Sequence, residues 1–262
     1  MRKTTMAAAA AFLTLASAAR AEVKTKEIEY SQGDTPLQGF LAWDDAVHGK
    51  RPGILVIHEW WGENQHARNQ AIRLAKAGYV GFALDMYGKG KVATHPKDAE
   101  ALMKEATKDP AVIRARFDAA MAVLKAQPQV DPARIGAVGY CFGGGVALSM
   151  ARAGEDLGAV ATFHAGIPSQ GESPQPGSVK PRILIATGGA DPMVPKERVE
   201  AFAKELRDAG AEVTVTTYPG AKHGFTNPDA AKAGMPALAY DREADRKSWA
   251  AALKLFRSAF KT

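Results

Sequence analysis

The sequence predicts one α/β domain: a mostly parallel sheet with helices on both faces, reached through an antiparallel N-terminal hairpin. Three observations point there. Short apolar runs alternate with stretches of helical spacing along most of the 262 residues. Ahead of them, "VKTKEIEYSQGDTPLQGFLAW" alternates polar and apolar residues about a turn signal, as the two arms of a hairpin do. Finally, "IGAVGYCFGGG" runs an apolar strand straight into glycines and a further helical pattern.

The elements follow in order. "PGILVIHEWWG" is a continuous apolar run bounded by Pro52 and Gly62, suited to a strand buried on both faces. "QHARNQAIRLAKAG" has helical spacing at Ala67, Ala71, Leu74 and Ala75 and stops at Gly78; "YVGFALDMYG" is the next strand. Residues 96–126 read as two helices parted near Asp109-Pro110. There Asp109 is an N-cap and Pro110 the first helical residue, and Val112, Ile113, Phe117, Ala120, Met121 and Leu124 line one side. "RIGAVGYC" is a strand and "GGGVALSMARAG" a helix ended by Gly154. Three more strands follow, "LGAVATFHAG", "PRILIATGG" and "AEVTVTTYPG", with the helix "PKERVEAFAKELRDAG" between the last two. The final helix carries Trp249, Leu253, Phe256 and Phe260 on one face. "PSQGESPQPGSVKP" reads as a surface loop and no repeat is evident, so residues 22–262 form a single domain.

Residues 1–21 have a different character. "MRKTT" is basic, "MAAAAAFLTLASAA" is small and apolar, and "ARA" before Glu22 fits a small-x-small cleavage site. This is the layout of a signal peptide, with an apolar run too short to span a membrane, and it places the mature protein in the periplasm or outside the cell. Cleavage after Ala21 removes Arg2, Lys3 and Arg20, leaving 31 bases against 28 acids, so the formal charge falls from +6 to +3. A charge that small, without basic runs, argues against nucleic acid as a partner, and no membrane span is expected once the leader is gone. Cys141 is the single cysteine, and in an oxidising compartment a free thiol is a liability unless buried or used.

Ligands of open parallel sheets bind at the carboxyl ends of strands. Cys141 stands at such an end, in Gly-x-Cys-x-Gly, with Gly139 and Gly143 at the offsets that a sharp strand-to-helix turn requires. The following helix N-terminus favours negative charge on the thiol. Asp191 lies in the loop after the next-to-last strand and His223 in the loop after the last. Nucleophile, acid and histidine in that chain order suit acyl transfer: a thiol to attack a carbonyl, an imidazole to move protons, and a carboxylate to fix its tautomer. "HEWWG" lacks the second histidine of a zinc motif, Gly62 standing there, so no metal or organic cofactor is expected. His164 also ends a strand and is expected to line the pocket or to satisfy a core hydrogen bond.

"HEWWG", "LDMYGKG", "GYCFGGG", "GGADPMVP" and "YPGAKHGF" together resemble the dienelactone hydrolase family, of the α/β-hydrolase fold, from about Val23 to the last helix. The resemblance implies Cys141 as nucleophile, Asp191 and His223 as its triad partners, and oxyanion donors from the backbone of Phe142 and Trp60. It implies that Glu59 interacts with the thiol and helps trigger its ionisation when substrate binds. Trp61, Tyr87, Lys89, Phe225 and Asn227 are expected around the substrate. Lys89 and Asn227 depart from the family, which carries carboxylate-clamping arginines there, so the substrate does not carry over. Two readings follow: an exported hydrolase of small carboxylic esters or lactones, or an exported small-molecule-binding protein on the same fold without turnover.

Overall fold

A computed structural model describes residues 22–168 and 173–261. The expected leader, residues 1–21, lies outside the described residues. Among these, no helix is long and apolar enough to cross a membrane.

The hairpin is β1 (Val23–Gln32) and β2 (Thr35–Asp44), paired antiparallel around a turn whose Gly33 has φ +53°. β2 joins β4 (Val80–Leu84) antiparallel, and the rest of the sheet is parallel. β3 (Arg51–Ile57) lies between β4 and β5 (Val130–Tyr140), followed by β6 (Ala159–Phe163), β7 (Arg182–Gly188) and β8 (Val213–Tyr218). The strand order β1-β2-β4-β3-β5-β6-β7-β8 reverses between β3 and β5. That reversal opens a crevice beyond their carboxyl ends, where parallel sheets bind ligands.

β3, β4 and β6 are buried along their whole length, as continuous apolar runs require. α1 (Gln65–Lys76) and α6 (Arg242–Phe260) cover one face of the sheet. α2 (Pro96–Thr107), α3 (Pro110–Lys125), α4 (Phe142–Arg152) and α5 (Lys196–Asp208) cover the other. The Asp109 cap forms as expected, its carboxylate accepting the Ala111 N–H at 2.8 Å. α6 differs in detail from its sequence pattern. Its buried stripe is Ala244, Ser248, Ala252, Phe256 and Phe260, while Trp249 stays half-buried with the Arg73 guanidinium 4.3 Å above its ring. β5 also begins earlier than its apolar run, at Val130, because residues 130–131 pair with Arg51 and Pro52 before the register shifts. A short 3-10 turn, Ala230–Ala233, is absent from the sequence reading.

Candidate active site

Two central strands end in the site. β5 delivers Cys141, which forms the turn itself at φ +52°, ψ −116°. A side chain in that region costs about 1–3 kcal/mol and persists only where its surroundings hold it. Here the Cys141 N–H donates to the Phe163 carbonyl at 3.1 Å, and its own carbonyl accepts from Gly144, Gly145 and Gly166 at 3.1, 3.3 and 3.0 Å. The glycines allow this closeness. A Cβ on Gly143 would lie 2.5 Å from the His58 carbonyl oxygen, and one on Gly139 would overlap the Gly143 carbonyl. α4 therefore starts directly at a half-buried, free thiol.

β3 delivers His58, Glu59 and Trp60. His58 is fully buried, and its role is absent from the sequence reading. Its Nε2 accepts the Met86 N–H at 3.2 Å, so Nδ1 carries the proton and donates to the Glu59 carbonyl. Burial keeps its pKa below the ordinary histidine value. The His58 carbonyl also accepts the Gly143 N–H at 3.1 Å, which ties the end of β3 to the start of α4. The Trp60 carbonyl takes the Tyr87 hydroxyl at 3.0 Å. The backbone N–H groups of Trp60 and Phe142 flank this junction, and neither finds an acceptor among the described residues.

His223 follows β8 and is 3% exposed. Its Nδ1 donates to Asp191 Oδ2 at 2.8 Å, and Asp191 Oδ1 accepts the Met193 N–H at 2.8 Å. That fixes the tautomer and leaves Nε2 for proton transfer. Burial works against the imidazolium. The negative charge of a Cys141 thiolate and the hydrogen bond to Asp191 outweigh it and raise the pKa to about 10. Behind His223 sits His164, fully buried at φ +40°, with its ring edge-on at 5.1 Å and Nε2 2.8 Å from Thr226 Oγ1. Burial, then the charge of His223, hold its pKa well below the ordinary value, so it stays neutral.

The expected substrate residues are placed unevenly. Trp61 packs on Trp60 at 5.0 Å and lines a cavity of ≈ 320 Å³ with Asn64, Ala93 and Asn227. Tyr87 is buried against His58 and Phe142. Lys89 turns away, pairing with Glu29 of β1 at 2.6 Å on the surface. Phe225 is fully buried, because its loop folds inward against His164 and Tyr218, and His164 is likewise sealed from any pocket. Asn227 is occupied within the protein. Its Nδ2 donates to Glu59 Oε2 at 2.7 Å and its Oδ1 accepts the Asp229 N–H at 2.9 Å. This settles the direction of Glu59, toward the His223 loop. Beyond Phe142 lies an apolar groove of ≈ 420 Å³ lined by Met103, Ile113, Val146 and Met150, also absent from the sequence reading. No cluster of three or more metal-ligating side chains occurs among the described residues.

Comparison with known proteins agrees with this fold. The sequence profile of the dienelactone hydrolase family matches residues 37–260. A Synechocystis protein named as a carboxymethylenebutenolidase is 28% identical over 92% of this chain and 99% of its own length. The solved structure named m3DLH is 39% identical, with a TM-score of 0.85 over 90% of this chain and 98% of its own. A dienelactone hydrolase-like promiscuous phosphotriesterase from metagenomic libraries is 35% identical, with a TM-score of 0.86 over the same shares.

Proposed function

The chain belongs to the dienelactone hydrolase family, and from that premise we propose that it hydrolyses small carboxylic esters or lactones through Cys141, His223 and Asp191. One observation carries the reading. A thiol held in a strained strand-to-helix turn acts electrostatically on an imidazole whose other nitrogen is already tied to a buried carboxylate. A packing cysteine has no need of such a turn.

In this reaction the Cys141 thiolate bonds to the carbonyl carbon, and the oxyanion is met by the N–H groups of Phe142 and Trp60. The bond to the leaving oxygen breaks, and that oxygen takes the proton from His223 Nε2. The acyl-thioester remains. Neutral His223 then takes a proton from water, whose oxygen attacks the thioester. The C–S bond breaks, the carboxylic acid leaves, and the thiolate–imidazolium pair is restored. Asp191 keeps Nδ1 protonated throughout and stabilises the imidazolium.

Residues 1–21 act in this reading as an export leader, so the enzyme works in the periplasm or outside the cell. Protein isolated from its native host is expected to have the mass of a chain starting at Glu22. The catalytic assignment is tested by intact mass after brief exposure to an activated ester. An acyl adduct on the wild type, absent from Cys141→Ala, with steady product release, is the expected result. Equal turnover by Cys141→Ala rules out Cys141 as nucleophile, and binding without product from either protein favours the non-catalytic alternative.

A further inference from the structure

The strand end that carries the oxyanion backbone also carries a carboxylate, Glu59. It is 5% exposed and stands between the start of α4 and the His223 loop. A Cβ on Gly224, next to His223, would lie 4.0 Å from Glu59 Oε1, and Asn227 of the same loop binds Oε2 at 2.7 Å. The carboxamide satisfies that oxygen without neutralising it. Among the described residues Glu59 makes no hydrogen bond or ion pair with a cationic side chain.

Several cations around the crevice are paired with other groups. Lys89 pairs with Glu29 at 2.6 Å. Arg68 is held by Glu63 and Glu27 at 2.9 and 2.7 Å. Lys232 pairs with Asp229 at 2.8 Å on the surface, and Arg198 donates to the Ile167 carbonyl. His66 and His164 are both held toward the neutral form by burial. An anionic substrate group entering this crevice meets a buried carboxylate and the charge of the nucleophile. It loses hydration, and the His223 imidazolium beside it is already matched by Asp191 and the nucleophile.

We propose that the Glu59–Asn227 pair makes this site selective for uncharged esters and lactones and discriminates against substrates bearing a carboxylate. The proposal rests on the hydrolase reading above and narrows its substrate class. Asn227 is here a specificity-determining residue: it anchors the carboxylate with a neutral group at the position where a cation would offset its charge and weaken the preference.

The test compares a five-membered lactone carrying a side-chain carboxylate with the same lactone carrying a carboxamide there. Wild type is expected to open the carboxamide with a kcat/KM at least tenfold higher, and because Glu59 is buried the gap holds as salt is raised. Asn227→Gln keeps the preference, whereas Asn227→Arg moves the ratio tenfold or more toward the carboxylate. Calorimetric titration of Cys141→Ala with each lactone reads the same order of affinity without turnover. If wild type opens neither lactone, the catalytic reading is in question while the binding order still decides this one. Equal kcat/KM and equal affinity for the two lactones, or a ratio untouched by Asn227→Arg, overturns it.

Discussion

Removing the Cys141 sulfur should lower the pH at which His223 gives up its proton. In the structure that pKa is held up to about 10. Against an ordinary value near 6.5 this is a rise of ~3.5 pH units, or ~5 kcal/mol in favour of the imidazolium. Burial of the ring opposes the charge, so the favourable interactions exceed that sum. The largest come from Cys141, through the charge of its thiolate, and from Asp191, through its hydrogen bond at 2.8 Å and its charge. In Cys141→Ala the burial cost stays and one of the two partners is gone. Loss of half the favourable energy against an unchanged cost lowers the pKa by roughly 2 pH units or more. The assay is an NMR titration of ring-labelled histidine, with His223 among the six histidines assigned by comparison with His223→Gln. In wild type the His223 signal should hold its protonated shift past pH 9, and in Cys141→Ala it should move below pH 8. An unchanged midpoint would refute the coupling between Cys141 and His223 on which the proposed reaction depends.

Gly143→Ala should cripple the site, because its Cβ would meet the carbonyls of Ile57 and His58, both backbone atoms at the end of a fully buried strand. A loss of ~2–3 kcal/mol of stability from overpacking, seen as a lower Tm, should accompany a fall in kcat/KM of about a hundredfold as α4 shifts from Cys141. Glu63 offers a pH-dependent test away from the chemistry. Burial raises its pKa from 4.5 to about 7 despite its hydrogen bonds to Arg68, so the folded protein binds this proton more tightly than the unfolded chain. The stability it contributes is complete below pH 4.5 and is lost as pH rises through about 7, amounting to ~3 kcal/mol. Urea denaturation at pH 5 and pH 8 should show that loss in wild type and a smaller one in Glu63→Gln.

The parts of this fold written in local sequence were legible: the alternating hairpin, the apolar runs of β3 and β6, and the Asp109-Pro110 helix start. The turn at Cys141 was legible because no side chain but hydrogen fits at positions 139 and 143, so the glycines report the backbone geometry directly. The pocket was not. Phe225 looks like an aromatic lining residue beside His223, yet its loop folds inward against Tyr218. Lys89 looks like a substrate cation, yet the hairpin brings Glu29, sixty residues earlier, to within 2.6 Å of it. The direction of Glu59 depends on a partner 168 residues away. Contacts of that range are set by tertiary packing and leave no periodic mark in the sequence.

This difference in legibility also separates what the family resemblance carries from what it leaves open. The reactive turn is held by backbone: the Cys141 carbonyl accepts three N–H groups, and the His58 carbonyl a fourth, at Gly143. Glycine at two positions keeps that geometry, whatever side chains surround it. Recognition is held differently. The charge presented beside Cys141 involves the side-chain contact between Asn227 and Glu59, and replacing Asn227 by a cation would offset the Glu59 charge without touching a backbone bond. A site built this way keeps its chemistry through sequence divergence while its substrate is free to change. On the proposed reading, chains that share the turn at Cys141 can therefore differ in the substrate they take, and position 227 is where that difference is best sought.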